Sequence, residues 1–118
     1  MRLQHVSITV PAGDEDRVRE FYGGLLGLDE REVPPNLDPS RLIWFRAGDP
    51  DLELHVMLGE AAGGGGHFCL AVDDVESFRR RLSDAGVETV DPTEIVGRPR
   101  FFCRDPFGNR VELTTIGA

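Results

Sequence analysis

At 118 residues, 40% apolar and 29% charged, the chain has the length of one globular domain and enough apolar mass for a core without staples. Its 13 basic against 21 acidic residues leave a formal charge of −8, which repels phosphate backbones and argues against nucleic acid as a partner. No apolar run is long enough to cross a bilayer, the opening residues read as strand rather than as a secretory leader, and Cys69 and Cys103 lack metal-finger spacing. These features predict a cytoplasmic chain, with no membrane partner and with reduced thiols.

In chain order, QHVSITV (4–10) alternates as a strand. A helix follows over about Asp14 to Leu26, with Val18, Phe21, Tyr22, Leu25 and Leu26 on one face and Gly27 past its end. GLDEREV (27–33) is a weak strand and VPPNLDPS (33–40) a loop; RLIWFRA (41–47) and DLELHVML (51–58) are strands. The glycines at 63–66 read as a flexible linker, and they lack the Lys-Ser/Thr ending of a phosphate loop. GHFCLAV (66–72) opens the second half as a strand, with Asp73 or Asp74 capping a helix over about Val75 to Ala85 and Gly86 beyond it. Val75, Phe78 and Leu82 form that helix's apolar face, and Arg79, Arg80 and Arg81 read as a solvated one. GVETVDP (86–92) is a weak strand, and RPRFFCR (98–104) and NRVELTT (109–115) form a hairpin whose connection, DPFGN (105–109), is plain turn chemistry.

The order is therefore βαβββ, then βαβββ: module 1 over about 1–62, module 2 over about 66–118, within one domain of 1–118. The two halves match in detail. QHVSITV lies over GHFCLAV, and each half carries one His on its first strand and one Glu on its last. Glu53 lies forty-eight positions after His5, and Glu112 forty-five after His67. Alternation divides every strand in the same way. Val6, Ile8 and Val10 oppose His5, Ser7 and Thr9. Leu52, Leu54, Val56 and Leu58 oppose Glu53, His55 and Met57. Phe68, Leu70 and Val72 oppose His67, Cys69 and Ala71, and Val111 and Leu113 oppose Glu112 and Thr114. One face is aliphatic and suits packing under helices. The other places His and Glu among small neighbours, as a partly enclosed pocket does.

Two imidazoles gathered with two carboxylates need compensation, because adjacent carboxylates repel. A divalent cation supplies it, and mixed N/O ligation suits Zn, Ni, Co, Mn or Fe(II) better than Ca or Mg. A metal-free His–Glu network is the alternative. Arg100 and Arg104 share one strand face and Arg46 lies on a neighbouring strand region; each is a candidate for an anionic substrate group, or a plain surface arginine. Trp44, Phe45, Phe101 and Phe102 either line an aromatic slot or pack the core.

On HVSITV (5–10), FYGGLLGL (21–28), LEL (52–54), GHFCLAV (66–72), LSDAGV (82–87) and DPFGNRVEL (105–113), the chain resembles the vicinal oxygen chelate superfamily, most of all its glyoxalase I-type members. The resemblance implies an α+β fold in which paired βαβββ modules form a cup-shaped mixed sheet with helices outside. It implies His5, Glu53, His67 and Glu112 as metal ligands, and a homodimer in which modules of two subunits often complete one cup. The implied function is metal-dependent proton transfer on a small oxygenated substrate through a metal-stabilised enediolate, of the glyoxalase/lyase or epimerase kind. Glu53 or Glu112 is then the base, and Arg46, Trp44, Arg100, Phe102 and Arg104 are candidates for substrate contact. His55 departs from the glyoxalase pattern: it replaces Glu53 as ligand, carries a proton, or orients a ligand. Two alternatives stand beside this one. An Fe(II) extradiol-type dioxygenase would use His5, His67 and Glu112, although Glu53 then fills a position oxygen needs. A non-catalytic drug-binding or resistance protein would need no metal.

Overall fold

The computed structural model describes residues 3–59, 67–94, 97 and 99–115, so the glycine linker expected at 63–66 lies outside the described residues. The chain divides into two compact units, Met1–Gly63 and Gly64–Ala118. The first unit contains β1 (His5–Val10), helix α1 (Glu15–Val18, continuing as a π-helix over Arg19–Leu25), β2 (Asp29–Arg31), a 3-10 turn at Pro39–Arg41, β3 (Leu42–Gly48) and β4 (Leu52–Leu58). The second contains β5 (His67–Ala71), α2 (Val75–Asp84), β6 (Thr89–Val90), β7 (Arg100–Arg104) and β8 (Arg110–Thr114). Each unit is thus βαβββ, and the fold is α+β as expected.

Each unit forms a four-stranded mixed sheet, in the orders β1-β4-β3-β2 and β5-β8-β7-β6. Hairpin-type neighbours run antiparallel, while the first strand of each unit pairs parallel with the last. A parallel pair cannot be joined by a tight turn. The chain meets this by travelling through a helix and two strands before the last strand returns beside the first.

The aliphatic faces become the cores. In the first unit, Val10, Phe45 and Val56 are fully buried with Ile43 and Leu54 nearly so, beneath Val18, Phe21, Tyr22 and Leu26 of the helix segment. The Tyr22 ring stands 5.9 Å from that of Phe45 and 5.0 Å, edge-on, from Phe21. In the second unit, Val75 and Leu82 of α2 are buried, as are Phe101, Cys103, Val111 and Leu113 of the sheet. Burying a side chain such as Leu82 contributes about 1.5–3 kcal/mol. Phe45 and Phe101 are core residues, so the aromatic slot is not built from them.

Local chemistry explains the ends of the elements. Asp74, rather than Asp73, caps α2 by accepting from the Ser77 N–H at 3.2 Å. Gly86, at φ +86°, ends it in the left-handed conformation that glycine adopts without strain. In the first unit the sequence predicts α-helix through Leu26, but after Val18 the turns widen, and the Leu26 N–H reaches back five residues to the Phe21 carbonyl at 2.9 Å. Gly23 and Gly24 carry no side chains to hold the tighter register. Arg79 is not simply solvated: it hydrogen-bonds Thr89 Oγ1 at 3.1 Å and pairs with Asp91, tying α2 to the β6 strand.

The β7–β8 connection is organised by one buried carboxylate. Asp105 Oδ1 accepts from the backbone N–H of Phe107 (2.9 Å) and Asn109 (2.7 Å), and Oδ2 accepts from the Asn109 side chain at 2.9 Å. Gly108, at φ +95°, completes the turn. Replacing Asp105 with Ala strands these donors and is expected to cost about 1–3 kcal/mol. Urea unfolding of Asp105→Ala, followed through the second unit's hydrogen exchange, checks this; an unchanged midpoint would show the turn forms without the carboxylate.

Candidate functional site

In the first unit the site grows from the pairings of β4, which is central. His5 lies opposite Glu53 and Ser7 opposite His55 across the parallel pair. Trp44 lies opposite His55 and Arg46 opposite Glu53 across the antiparallel one. Neighbouring strands stand about 4.7–4.9 Å apart, close to the stacking distance of flat rings. The rings use this. Trp44 stacks on His55 at 3.8 Å and 4°, and His55 stacks on His5 at 4.3 Å and 14°. Three rings thus lie in one row across β3, β4 and β1. The indole Nε1 of Trp44 is buried without a hydrogen-bond partner among the described residues.

Glu53 sits beside this row. His55 Nε2 donates to its Oε1 at 3.1 Å, and Gln4 Nε2 donates to the same oxygen at 3.3 Å. Burial acts to raise the Glu53 pKa, but the hydrogen bonds from His55 and Gln4 outweigh it and hold the carboxyl below its usual range. Glu53 is therefore a carboxylate at neutral pH. Both hydrogen bonds fall on Oε1, and none among the described residues falls on Oε2.

In the second unit β8 is central and carries the same logic. His67 lies opposite Arg110 and Cys69 opposite Glu112 on one side, and Phe102 lies opposite Glu112 on the other. His67 Nε2 and Glu112 Oε1 are 3.0 Å apart, and Arg100 Nη1 stands 3.4 Å from Glu112 Oε2. Glu112 is buried, with a side chain 8% exposed, so its charge depends on these partners. The edge of the His67 ring meets Phe102 at 5.2 Å, and the guanidinium groups of Arg100 and Arg110 lie over that ring at 5.5 and 5.2 Å.

The structure therefore brings His5, Glu53, His55 and Trp44 together in one unit, and His67, Glu112, Arg100 and Phe102 in the other. Each candidate arginine has a partner, and Arg100 also donates to the Thr93 carbonyl at 2.7 Å. Arg46 pairs with Asp49 in the adjoining turn, and Arg104 donates to the Gly108 carbonyl at 2.8 Å. Two neighbours escaped the sequence reading. Arg110 shares the Glu112 face by simple alternation and forms no ion pair among the described residues. Gln4 opens the stretch read as a strand but lies one residue before β1, and alternation puts it on the face opposite His5, so the strand pattern gave no sign of its contact with His5.

Among the described residues no three His, Cys, Asp or Glu side chains cluster closely enough to hold an ion. The pairs themselves have suitable chemistry. Imidazole nitrogen and carboxylate oxygen each bind a Zn-type ion at about 2.0–2.2 Å, which places adjacent donors about 3 Å apart in octahedral and about 3.4 Å apart in tetrahedral coordination. His67 Nε2 and Glu112 Oε1 stand at the octahedral spacing, 3.0 Å. His5 and Glu53 are direct register partners, and Glu53 Oε2 is available. Donor type in both units, and donor spacing in the second, therefore fit a borderline divalent ion.

Two predictions follow from these surroundings. Cys103 is buried, which pushes its thiol up to about 11, whereas Cys69 is exposed on the Glu112 face. Alkylation of the native chain at mildly alkaline pH is expected to add one label, at Cys69, and a second only after unfolding; intact mass reads both. Because folding lowers the Glu53 pKa, the stability it contributes is present above the ordinary carboxylate range and lost as pH falls through the lowered value. Glu53→Gln is expected to flatten that acid limb of the stability–pH curve, and an unaltered limb would contradict it.

The Glyoxalase/Bleomycin resistance protein/Dioxygenase superfamily profile matches residues 2–113. A Bacillus anthracis structure assigned to the glyoxalase family is 28% identical, covers 99% of this chain and 96% of its own, and superposes with a TM-score of 0.87. Lactoylglutathione lyase from Agrobacterium tumefaciens is 22% identical over 97% of this chain and 92% of its own, with a TM-score of 0.76. An antibiotic binding protein from Streptomyces sp. CB03234 is 24% identical over 99% and 97%, with a TM-score of 0.74. No curated protein matches the chain. No helix among the described residues is long and apolar enough to cross a membrane. The repeated βαβββ units, their paired His and Glu, and the match over nearly the whole length agree: the chain belongs to the glyoxalase, bleomycin resistance and dioxygenase superfamily, the vicinal oxygen chelate proteins.

Proposed function

We propose that this protein is a metal-dependent enzyme that moves a proton on a small oxygenated substrate, with His5, Glu53, His67 and Glu112 as ligands of a divalent cation. One observation carries the reading: in both units a His on the first strand meets a Glu on the parallel last strand, and His67 and Glu112 stand at ligand spacing, 3.0 Å. A network built only for stability has no reason to repeat the same two donor types in both units. The likeness to a lactoylglutathione lyase agrees with this chemistry.

When bound, such a cation polarises a substrate oxygen and stabilises negative charge developing on it. The chain's own groups then handle the proton and the orientation. Glu53 stays ionised through His55 and Gln4, and its Oε2 is the atom that binds or accepts a proton. His55, wedged between two rings, cannot swing away from Glu53 and so keeps Oε1 occupied. Arg100 engages Glu112 Oε2 while Oε1 faces His67, which fixes the carboxylate plane. Phe102 with Arg100 and Arg110 forms a basic, aromatic surface beside His67, suited to an anionic group on the substrate. Arg46 and Arg104 have partners in Asp49 and the Gly108 carbonyl, as Arg100 has in Glu112 and the Thr93 carbonyl, and all three stay candidate substrate contacts. Cys69 and Cys103 form no disulfide, which suits a reducing cytoplasm, and a homodimer is the assembly we propose.

A second reading, non-catalytic binding of a flat drug-like molecule, is favoured by the Trp44–His55–His5 row and the unpartnered Trp44 Nε1, and by the likeness to an antibiotic binding protein. The two readings separate cleanly. Under the enzymatic reading, untagged protein takes up about one equivalent of Zn, Ni, Co, Mn or Fe(II) per chain. His5→Ala and Glu112→Gln each then weaken uptake by about tenfold or more, and the loaded protein exchanges substrate C–H for solvent deuterium next to a carbonyl. Wild-type protein that takes up none of these ions sinks the enzymatic reading. Light scattering on the same samples checks the dimer.

A further inference from the structure

We infer that Gln4 is a positioning residue that holds His5 as its Nδ1–H tautomer, so that Nε2 presents a lone pair to a cation. The purpose of this arrangement rests on the proposed metal binding; its geometry does not. Gln4 Nε2 lies 2.9 Å from the Asp51 carbonyl oxygen and 3.3 Å from Glu53 Oε1. The Asp51 backbone carbonyl can only accept, and this nearer contact fixes which end of the amide faces it. The NH2 end must therefore face it, and reversing the amide would set oxygen against oxygen. Gln4 Oε1 is left facing His5 Nδ1 at 2.8 Å. An amide oxygen only accepts, so Nδ1 must carry the hydrogen, and a neutral imidazole with Nδ1–H has its lone pair on Nε2.

The backbone sets the reach of this bridge. The Glu53 N–H donates to the Gln4 carbonyl at 2.9 Å, so Gln4 is tied to the start of β4 just before β1 begins. One neutral side chain thus links both candidate ligands of the first unit. A carboxylate more commonly orients a metal-binding imidazole. An amide does so here without adding a negative charge beside Glu53, and it donates to Glu53 as well. His55 is held in the opposite state, because the Glu53 carboxylate lies on its Nε2 and demands Nε2–H. Two histidines whose rings stack at 4.3 Å are therefore fixed as different tautomers by neighbours on one amide–carboxylate chain. Solvated imidazole favours Nε2–H, the tautomer that would block ligation by His5 through Nε2.

Long-range 15N–1H spectra of metal-free protein, at mildly alkaline pH, read both rings directly. Wild type is expected to show His5 as Nδ1–H and His55 as Nε2–H. In Gln4→Leu, His5 is expected to move mainly to Nε2–H while His55 keeps its state, which also reports that the fold is intact. Zinc affinity by calorimetry is expected to fall about tenfold in Gln4→Leu. An Nε2–H state for His5 in wild type, or an unmoved tautomer in Gln4→Leu, overturns the inference. A tautomer change in protein that takes up no metal in any form supports the Gln4 assignment and counts against His5 as a ligand.

Discussion

The parallel pairing of the first and last strands in each unit is the constraint on which the site depends. It brings residues nearly fifty positions apart into register, and it does so twice: His5 beside Glu53, and Cys69 beside Glu112 with His67 in reach. Because the last strand is central, its polar face receives side chains from both sides. That is why Glu53 and His55 meet partners on β1 and β3, and why Glu112 meets partners on β5 and β7. The opposite face of the same strands is aliphatic and forms the cores. One alternation therefore supplies both the stability and the site.

The two units share this plan and differ in what surrounds it. Beside Glu53 lies a row of flat rings, with an amide and an imidazole saturating one carboxylate oxygen. Beside Glu112 lies an aromatic ring under two guanidinium groups, one of which engages the carboxylate. A buried carboxylate requires such compensation, since an unpaired charge in a poorly hydrated place is costly. Each unit has met that requirement with different side chains. The repeat thus keeps donor type in both units while their neighbours differ.

Much of this was legible before any coordinates. The helix-forming periodicities, the glycines past the helix ends, the Asp105 turn and the alternation of every strand rest on interactions within a few residues. The chain states these locally. Other features depended on partners the chain does not announce. Arg46 and Arg79 carry the same charge as any surface arginine, and only the fold shows that Asp49 and Asp91 hold them. Phe45 and Phe101 alternate into the core, while Trp44 and Phe102, one residue on or before, face the polar side.

By itself the sequence determined the repeat, the strand faces and the presence of one His and one Glu on the polar face of each half, because side-chain alternation is a property of the backbone and needs no partner. Only the tertiary structure decided the stacked row of Trp44, His55 and His5, the hydrogen bond between His67 and Glu112, and the reach of Gln4 to His5 and Glu53. Those contacts depend on strand register, and register comes from burying both helix and sheet at once, which no local stretch of sequence can specify.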